Sequence, residues 1–212
     1  DNFLASAQGR SNQFALFLDS TGRVYSCLAQ SLPSARGQGE PLSGRFRLPD
    51  GAEFSGAMIG GPEDRYLVSS DSGYGFIVKL ADLNTRNKAG KAILRLPIGG
   101  KPILPALVPK DSGCLIVAVS SAGRLLCFSV DLLPQLAKGK GLKIINIHAA
   151  SYKAGEEKLV ASCVIQEGKK LHIHTPSRTM TIKWKNLELY LGDRARRGQL
   201  LPKGWRKVDR LS

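Results

Sequence analysis

Acidic residues are scarce in this chain: 17 Asp and Glu stand against 31 Lys and Arg, and the formal net charge over 212 residues is +14. A surplus of that size points to a polyanionic partner, most often nucleic acid, with a partnerless solvated basic surface as the plain alternative. Aromatic residues are also few, at 7%, which argues against stacking on single-stranded bases. No run approaches 18 apolar residues, so no membrane span is expected. No basic stretch followed by an apolar one opens the chain, so nothing suggests secretion. The four cysteines, Cys27, Cys114, Cys127 and Cys163, show no CxxC spacing. They read as small buried hydrophobes in a reducing cytosol, with a disulfide or metal role as the alternative.

Catalytic signatures are missing as well. There is no GxxxxGK[ST] phosphate loop, and Gly37/Gly39 and Gly139/Gly141 make only GxG pairs, short of a dinucleotide fingerprint. His172 and His174 lie two apart and share one face of an expected strand, but no third ligand stands nearby at metal-binding spacing, so a hydrogen-bonded pair is the reading. Glu63-Asp64 and Glu156-Glu157 sit in polar, turn-rich stretches and read as solvated loops, not acid/base dyads. Tyr25, Tyr66 and Tyr74 fit alternating strands as core or turn residues. No catalytic residue, metal site or cofactor is expected in this chain.

What the chain does have is a period. Gly39, Gly90 and Gly141 lie 51 residues apart, and each closes a short basic segment: Pro-Ser-Ala-Arg-Gly-Gln-Gly (Pro33 to Gly39), Arg-Asn-Lys-Ala-Gly-Lys (Arg86 to Lys91) and Leu-Ala-Lys-Gly-Lys-Gly (Leu136 to Gly141). A looser fourth box, Asp-Arg-Ala-Arg-Arg-Gly (Asp193 to Gly198), follows after 57 residues. Leu32, Leu83, Leu133 and Leu187 repeat at spacings of 51, 50 and 54. A fixed period of this size marks a repeat architecture. Apolar runs at Phe14, Arg65, Cys114 and Leu159 read as strands, and Ser20 to Gly22, Asp71 to Gly73 and Ser121 to Gly123 read as hairpin turns. After the boxes, Arg45-Phe-Arg-Leu-Pro, Ala92-Ile-Leu-Arg-Leu-Pro and Lys143-Ile-Ile-Asn-Ile alternate as half-buried strands do. Helical signs are confined to single turns at Ala81-Asp-Leu and Val130-Asp-Leu-Leu. About four short strands in about 50 residues make a propeller-like blade. The expectation is therefore an all-β repeat protein, one domain over residues 1–212 with units near 1–50, 51–101, 102–152 and 153–212.

The charge is graded along the chain. Residues 1–100 carry 11 basic against 9 acidic side chains, residues 101–150 carry 6 against 2, and residues 151–212 carry 14 against 6. Box cations of this kind neutralise phosphates and release counterions. Such contacts position a duplex without reading its sequence, and glycines beside them allow close backbone approach. The candidate DNA-binding residues are Arg36, Arg86, Lys88, Lys91, Lys138, Lys140, Lys143, Arg194, Arg196 and Arg197. A propeller-like module docking an acidic protein partner is the rival reading. A carbohydrate-binding or hydrolytic propeller lacks convergent carboxylates and aromatics.

Several stretches carry a family resemblance. Asp19-Ser-Thr-Gly-Arg, Leu32-Pro-Ser-Ala-Arg-Gly-Gln-Gly-Glu-Pro-Leu, Ser72-Gly-Tyr-Gly-Phe, Arg86-Asn-Lys-Ala-Gly-Lys-Ala, Leu133 through Ile147 and Arg196-Arg-Gly resemble, in order, the C-terminal domain of the ParC subunit of bacterial topoisomerase IV. The resemblance implies a β-pinwheel: a propeller-like disc, an open or incomplete ring, whose blades exchange strands and present a basic rim. It also implies that the family's first blade lies upstream, that the catalytic tyrosine lies in a winged-helix region this sequence lacks, and that ATP and Mg2+ are handled by other regions and the partner subunit. Implied partners are double-stranded DNA, the rest of ParC and the ATPase subunit ParE in a heterotetramer, together with a chromosome-organising condensin. The isolated domain is expected to be monomeric, in the bacterial cytoplasm at the nucleoid. By the same resemblance the rim positions the transfer segment during ATP-dependent decatenation and supercoil relaxation. Gyrase A carries a Gln-Arg-Arg-Gly-Gly-Lys-Gly box for tight DNA wrapping. No segment here matches it, so topoisomerase IV is favoured, with a gyrase-type wrapping domain as the alternative.

Overall fold

Local turn chemistry sets the architecture. The computed structural model describes residues 3–34 and 36–212; Asp1 and Asn2 of the opening stretch and Ala35 of the first box lie outside the described residues. The first hairpin joins β1 (Phe14–Asp19) to β2 (Arg23–Leu28), paired antiparallel with Leu18 opposite Val24. Gly22 supplies the positive φ (84°) that this turn needs. Asp19 is fully buried beneath the turn. Its Oδ1 accepts the Thr21 and Arg23 backbone N–H groups and the Thr21 hydroxyl, and its Oδ2 accepts the Tyr25 hydroxyl at 2.8 Å. Burial, and then this bond, push the Tyr25 phenol up to about 12.

The design recurs. The second hairpin is β4 (Arg65–Ser69) with β5 (Tyr74–Lys79), the third β8 (Leu115–Ser120) with β9 (Arg124–Ser129), and the fourth β12 (Lys170–His174) with β13 (Thr179–Lys183). Each of the first three hairpins becomes a four-stranded sheet by taking two strands from the next repeat. In the first sheet, β3 (Phe54–Gly60) and β6 (Lys91–Ala92) flank the hairpin in the order β3-β1-β2-β6. The second adds β7 (Ala106–Val108) and β10 (Leu142–Lys143), giving β10-β5-β4-β7. The third adds β11 (Leu159–Ile165) and β14 (Gln199–Leu200), giving β11-β8-β9-β14. The fourth has three strands, β13-β12-β15, with β15 (Arg210–Leu211) last. Four antiparallel sheets with exchanged strands are the blades of a pinwheel, and among the described residues no strand pairing links the first sheet to the fourth.

The hydrophobic cores lie between neighbouring sheets. Tyr66, Val68, Phe76 and Val78 face the first sheet's Leu16, Leu18 and Val24, whereas Leu67 and Ile77 of the same hairpin face Ile116, Ala118, Leu126 and Phe128 of the third. The opposite face of that third hairpin, Val117, Val119, Leu125 and Cys127, packs on Leu171, Ile173 and Leu187 of the last repeat. Central hairpins are thus buried on both faces and read as continuous apolar runs, not as alternating ones. Each such side chain removed from water contributes about 1.5–3 kcal/mol.

The runs after the boxes depart from the expectation of full strands. Only Lys91–Ala92 and Leu142–Lys143 form strands and Leu94 adds a single parallel bridge to Gly139, while Arg45–Pro49 forms no strand and follows a 3-10 turn at Leu42–Gly44. Their apolar residues are nonetheless buried: Phe46, Ile93, Leu94, Ile144, Ile145 and Ile147. The apolar residues of these runs therefore report packing over the rim of the neighbouring hairpin, where pairing is limited to two-residue ladders and a single bridge. The helical turns at Leu80–Leu83 and Val130–Leu132 match the sequence signs, but the helix Ala149–Lys153 and the 3-10 segment Trp184–Tyr190 were not marked by any capping or periodic pattern.

Candidate nucleic-acid interface

The basic boxes are built into the fold by the strand that leaves them. Arg23, Tyr74 and Arg124 open the second strand of the first three hairpins, and each meets the box of the following repeat. Arg23 donates to the carbonyls of Ala89 (2.9 Å) and Gly90 (3.1 Å), and Arg124 to that of Gly198 (3.2 Å). Lys140 lies 3.8 Å above the Tyr74 ring, a cation–π contact. The box-closing glycines are required by this closeness. Gly141 has φ 76°, and a Cβ there would run into the carbonyl oxygen of Gly75; at Gly90 (φ 69°) it would meet the Tyr25 ring at 2.7 Å. These two glycines admit protein, not phosphate. Gly39 and Gly139 have no such neighbours.

Backbone hydrogen bonds then tie box to box. Arg47 N–H donates to Lys88 O; Arg95 N–H donates to Gly139 O, and Gly139 N–H to Ile93 O; Asn146 N–H donates to Arg196 O, and Ala195 N–H to Ile144 O. The run after each box lies against the next box, and the boxes form one row along the edge of successive blades. Arg47, Arg95 and Asn146 hold the same place in the three runs. Arg47 and Arg95 are exposed, and neither was singled out among the sequence candidates. Their signal was the polar position in the alternating runs after the boxes.

Within the row the candidate side chains divide. Arg36, Arg86, Lys88 and Lys138 are exposed, with no side-chain hydrogen bond or ion pair among the described residues. Lys140 is exposed above Tyr74, and Arg196 is 74% exposed with Asp193 at 3.7 Å. The others turn to protein. Lys91 Nζ donates to Asp82 O (2.7 Å), Lys143 Nζ to Asn146 Oδ1 (3.2 Å) and Arg194 to Lys143 O (2.6 Å). Arg197 Nη1 donates to Glu157 Oε2 at 2.6 Å and to Asn146 O at 3.3 Å. Glu157 is buried and also accepts the Ser120 hydroxyl at 2.7 Å, so this ion pair within the fourth repeat is tied to the third through Ser120 and Asn146 O.

The remaining polar groups are accounted for within the fold. His172 bonds Thr181, and His174 bonds Thr179 and Ser212, as the hydrogen-bonded pair on one strand face requires. The four cysteines are free thiols. Cys127 and Cys163 both pair across Val117, two strand spacings or about 10 Å apart, beyond disulfide reach. Burial pushes both thiols up to about 12. Among the described residues no group of three His, Cys, Asp or Glu could hold a metal, and no helix is long and apolar enough to cross a membrane.

The chain resembles known proteins along its whole length. The solved structure of the Escherichia coli ParC C-terminal domain superposes with TM-score 0.84 at 42% identity, covering 96% of this chain and 82% of that one. This chain belongs to the family of topoisomerase IV ParC C-terminal domains. The ParC protein of DNA topoisomerase 4 from Pseudomonas aeruginosa is 49% identical over 211 residues, and that of Escherichia coli K12 is 42% identical. Both alignments cover 100% of this chain but only 28% of the relative, so the chain spans little more than a quarter of those proteins. The family described as DNA gyrase C-terminal domain, beta-propeller, matches residues 64–100 and 115–161. A solved gyrase A C-terminal domain shares the fold at 15% identity, with TM-score 0.71 over 95% of this chain.

Proposed function

We propose that this topoisomerase IV C-terminal domain binds duplex DNA along the row of basic boxes, through phosphates and without reading sequence. The observation that carries the reading is the ladder Arg47–Lys88, Arg95–Gly139 and Asn146–Arg196, which sets the boxes side by side. The phosphate-facing set comprises Arg36, Arg86, Lys88, Lys138, Lys140 and Arg196 of the ten sequence candidates, joined by Arg47 and Arg95. Lys91, Lys143, Arg194 and Arg197 brace the row. With each neutralised phosphate contributing about −0.9 to the slope of log K against log salt, about 5 to 8 contacts correspond to a slope of about −4 to −7.

In the whole ParC protein the rim holds the transfer segment for a type IIA topoisomerase that decatenates and relaxes DNA with ATP. The catalytic tyrosine lies in the upstream region, and ATP and Mg2+ are bound outside this domain, with ParE supplying the ATPase. The bacterial cytoplasm, at the nucleoid, is the corresponding location. The test is a fluorescence-anisotropy titration of the 212-residue chain on several unrelated 30-base-pair duplexes across a salt series. Equal affinities within about threefold and a slope in that range support the reading. Strong dependence on sequence, or no binding near 50 mM salt, overturns it.

A further inference from the structure

The most exposed large apolar side chain among the described residues is Ile98, at 105% relative exposure. It occupies the tip of a tight turn, Pro97–Gly100, closed by Gly100 N–H to Pro97 O at 2.9 Å and turned by Gly99 at φ 73°. The first repeat builds the same turn at Pro49–Ala52, with Gly51 at φ 74°, but there the tip residue is Asp50. A polar tip is the ordinary choice for such a turn. An isoleucine held fully in water by a proline before it and two glycines after it has no partner in the fold.

Its surroundings give it one. Ile98 stands at a cleft where the second repeat meets the third and the start of the fourth, whose lining includes Lys101, Lys140, Lys143, Lys153 and Lys158. Lys101, Lys153 and Lys158 stand apart from the boxes. The cleft's two carboxylates are already occupied: Asp71 accepts the Tyr152 hydroxyl at 2.6 Å, and Glu157 is held by Arg197 and Ser120. The cleft therefore presents positive charge around a single apolar projection. That combination matches a duplex, whose phosphates take the cations while an apolar tip enters the minor groove and parts a base step, kinking the DNA. An acidic protein surface would answer the lysines and leave Ile98 unexplained.

We propose that Ile98 is an apolar wedge that contacts a base step where duplex DNA crosses this lysine-lined cleft, so that the bend is concentrated at the cleft. The inference rests on the duplex-binding reading above. The experiment compares the 212-residue chain with its Ile98→Ala and Ile98→Asp variants on a 40-base-pair duplex. End-to-end energy transfer reports the bend, and 2-aminopurine fluorescence reports unstacking. Because Ile98 is fully exposed, equal thermal melting of the three proteins is expected and confirms that all are folded. The wild type is expected to bend the duplex by about 20–90° and to brighten 2-aminopurine at one region of the site. Ile98→Ala is expected to lose that brightening and weaken binding roughly three- to tenfold with the salt slope unchanged, because no phosphate contact is lost, and Ile98→Asp is expected to weaken binding further. Bending and brightening that persist in Ile98→Ala overturn the wedge while leaving duplex binding intact. Wild-type binding with no 2-aminopurine response at any position also overturns it. Absence of binding by all three proteins overturns the underlying duplex reading instead.

Discussion

The third and fourth boxes occupy the same place in their repeats and use their cations in opposite ways. In Leu136–Gly141, Lys138 is exposed and unpaired among the described residues, and Lys140 rests above Tyr74. In Asp193–Gly198, Arg194 and Arg197 turn inward to Lys143 O, Asn146 O and Glu157, and only Arg196 remains largely in solvent. The fourth box carries the larger count of arginines, yet more of its charge is spent joining blades. Charge count in a loop is therefore not phosphate valence. What decides is whether the fold sets a buried acid or backbone carbonyls within reach, as Glu157, Lys143 O and Asn146 O are here and as no group is for Lys138 among the described residues.

Removing the inward arginine should have the largest effect. Arg197→Ala leaves the buried Glu157 carboxylate without its cation, and we expect a loss of about 2–3 kcal/mol in urea unfolding. That is less than for a fully buried pair, because the Arg197 side chain is 32% exposed. Its salt slope for DNA should stay within about half a unit of wild type. A stable variant with a slope reduced by a full unit would place Arg197 on the phosphates and erase the contrast between the boxes.

The outward box should respond the other way. Lys138→Glu with Lys140→Glu is expected to change stability by under about 0.5 kcal/mol, while the salt slope becomes shallower by about two and affinity falls alike on all duplex sequences. Losses confined to some sequences would indicate base contacts instead. A loss smaller than that of Arg197→Ala is expected at the acid beneath the first turn, Asp19. Tyr25→Phe removes one donor from Asp19 and should cost about 1–2 kcal/mol.

The same contact has a pH signature. The folded chain holds the Tyr25 phenol at about 12 against an ordinary value of 10. Its stabilising contribution is complete below pH 10 and is lost as pH rises from 10 through about 12. Melting temperature measured across that window should fall less in Tyr25→Phe than in wild type.

Much of the fold was legible in the sequence because its determinants are local. Ser20–Gly22, Asp71–Gly73 and Ser121–Gly123 mark hairpins by turn chemistry alone, and the 51-residue spacing of Gly39, Gly90 and Gly141 marks the repeat. The family motifs added the exchanged strands. The two-residue pairing at Leu142–Lys143 was not legible, since the run beyond it alternates as a strand would while packing over another blade. Of the candidate site, the row of boxes followed from the period, but the inward turn of Arg194 and Arg197 depends on Glu157 and Asn146, about 40 and 51 residues away. Arg47 and Arg95 were visible as polar positions in apolar runs, yet their exposure depends on which face the next box covers.

The most direct test of the central claim is the salt dependence of duplex binding by the wild type and by a variant lacking four outward cations, Arg86→Ala, Lys88→Ala, Arg95→Ala and Lys138→Ala together. The wild-type slope should be about −4 to −7, and the variant's should be shallower by about three to four with melting unchanged. A variant that binds with the wild-type slope and affinity would contradict the claim that the row of boxes carries the DNA.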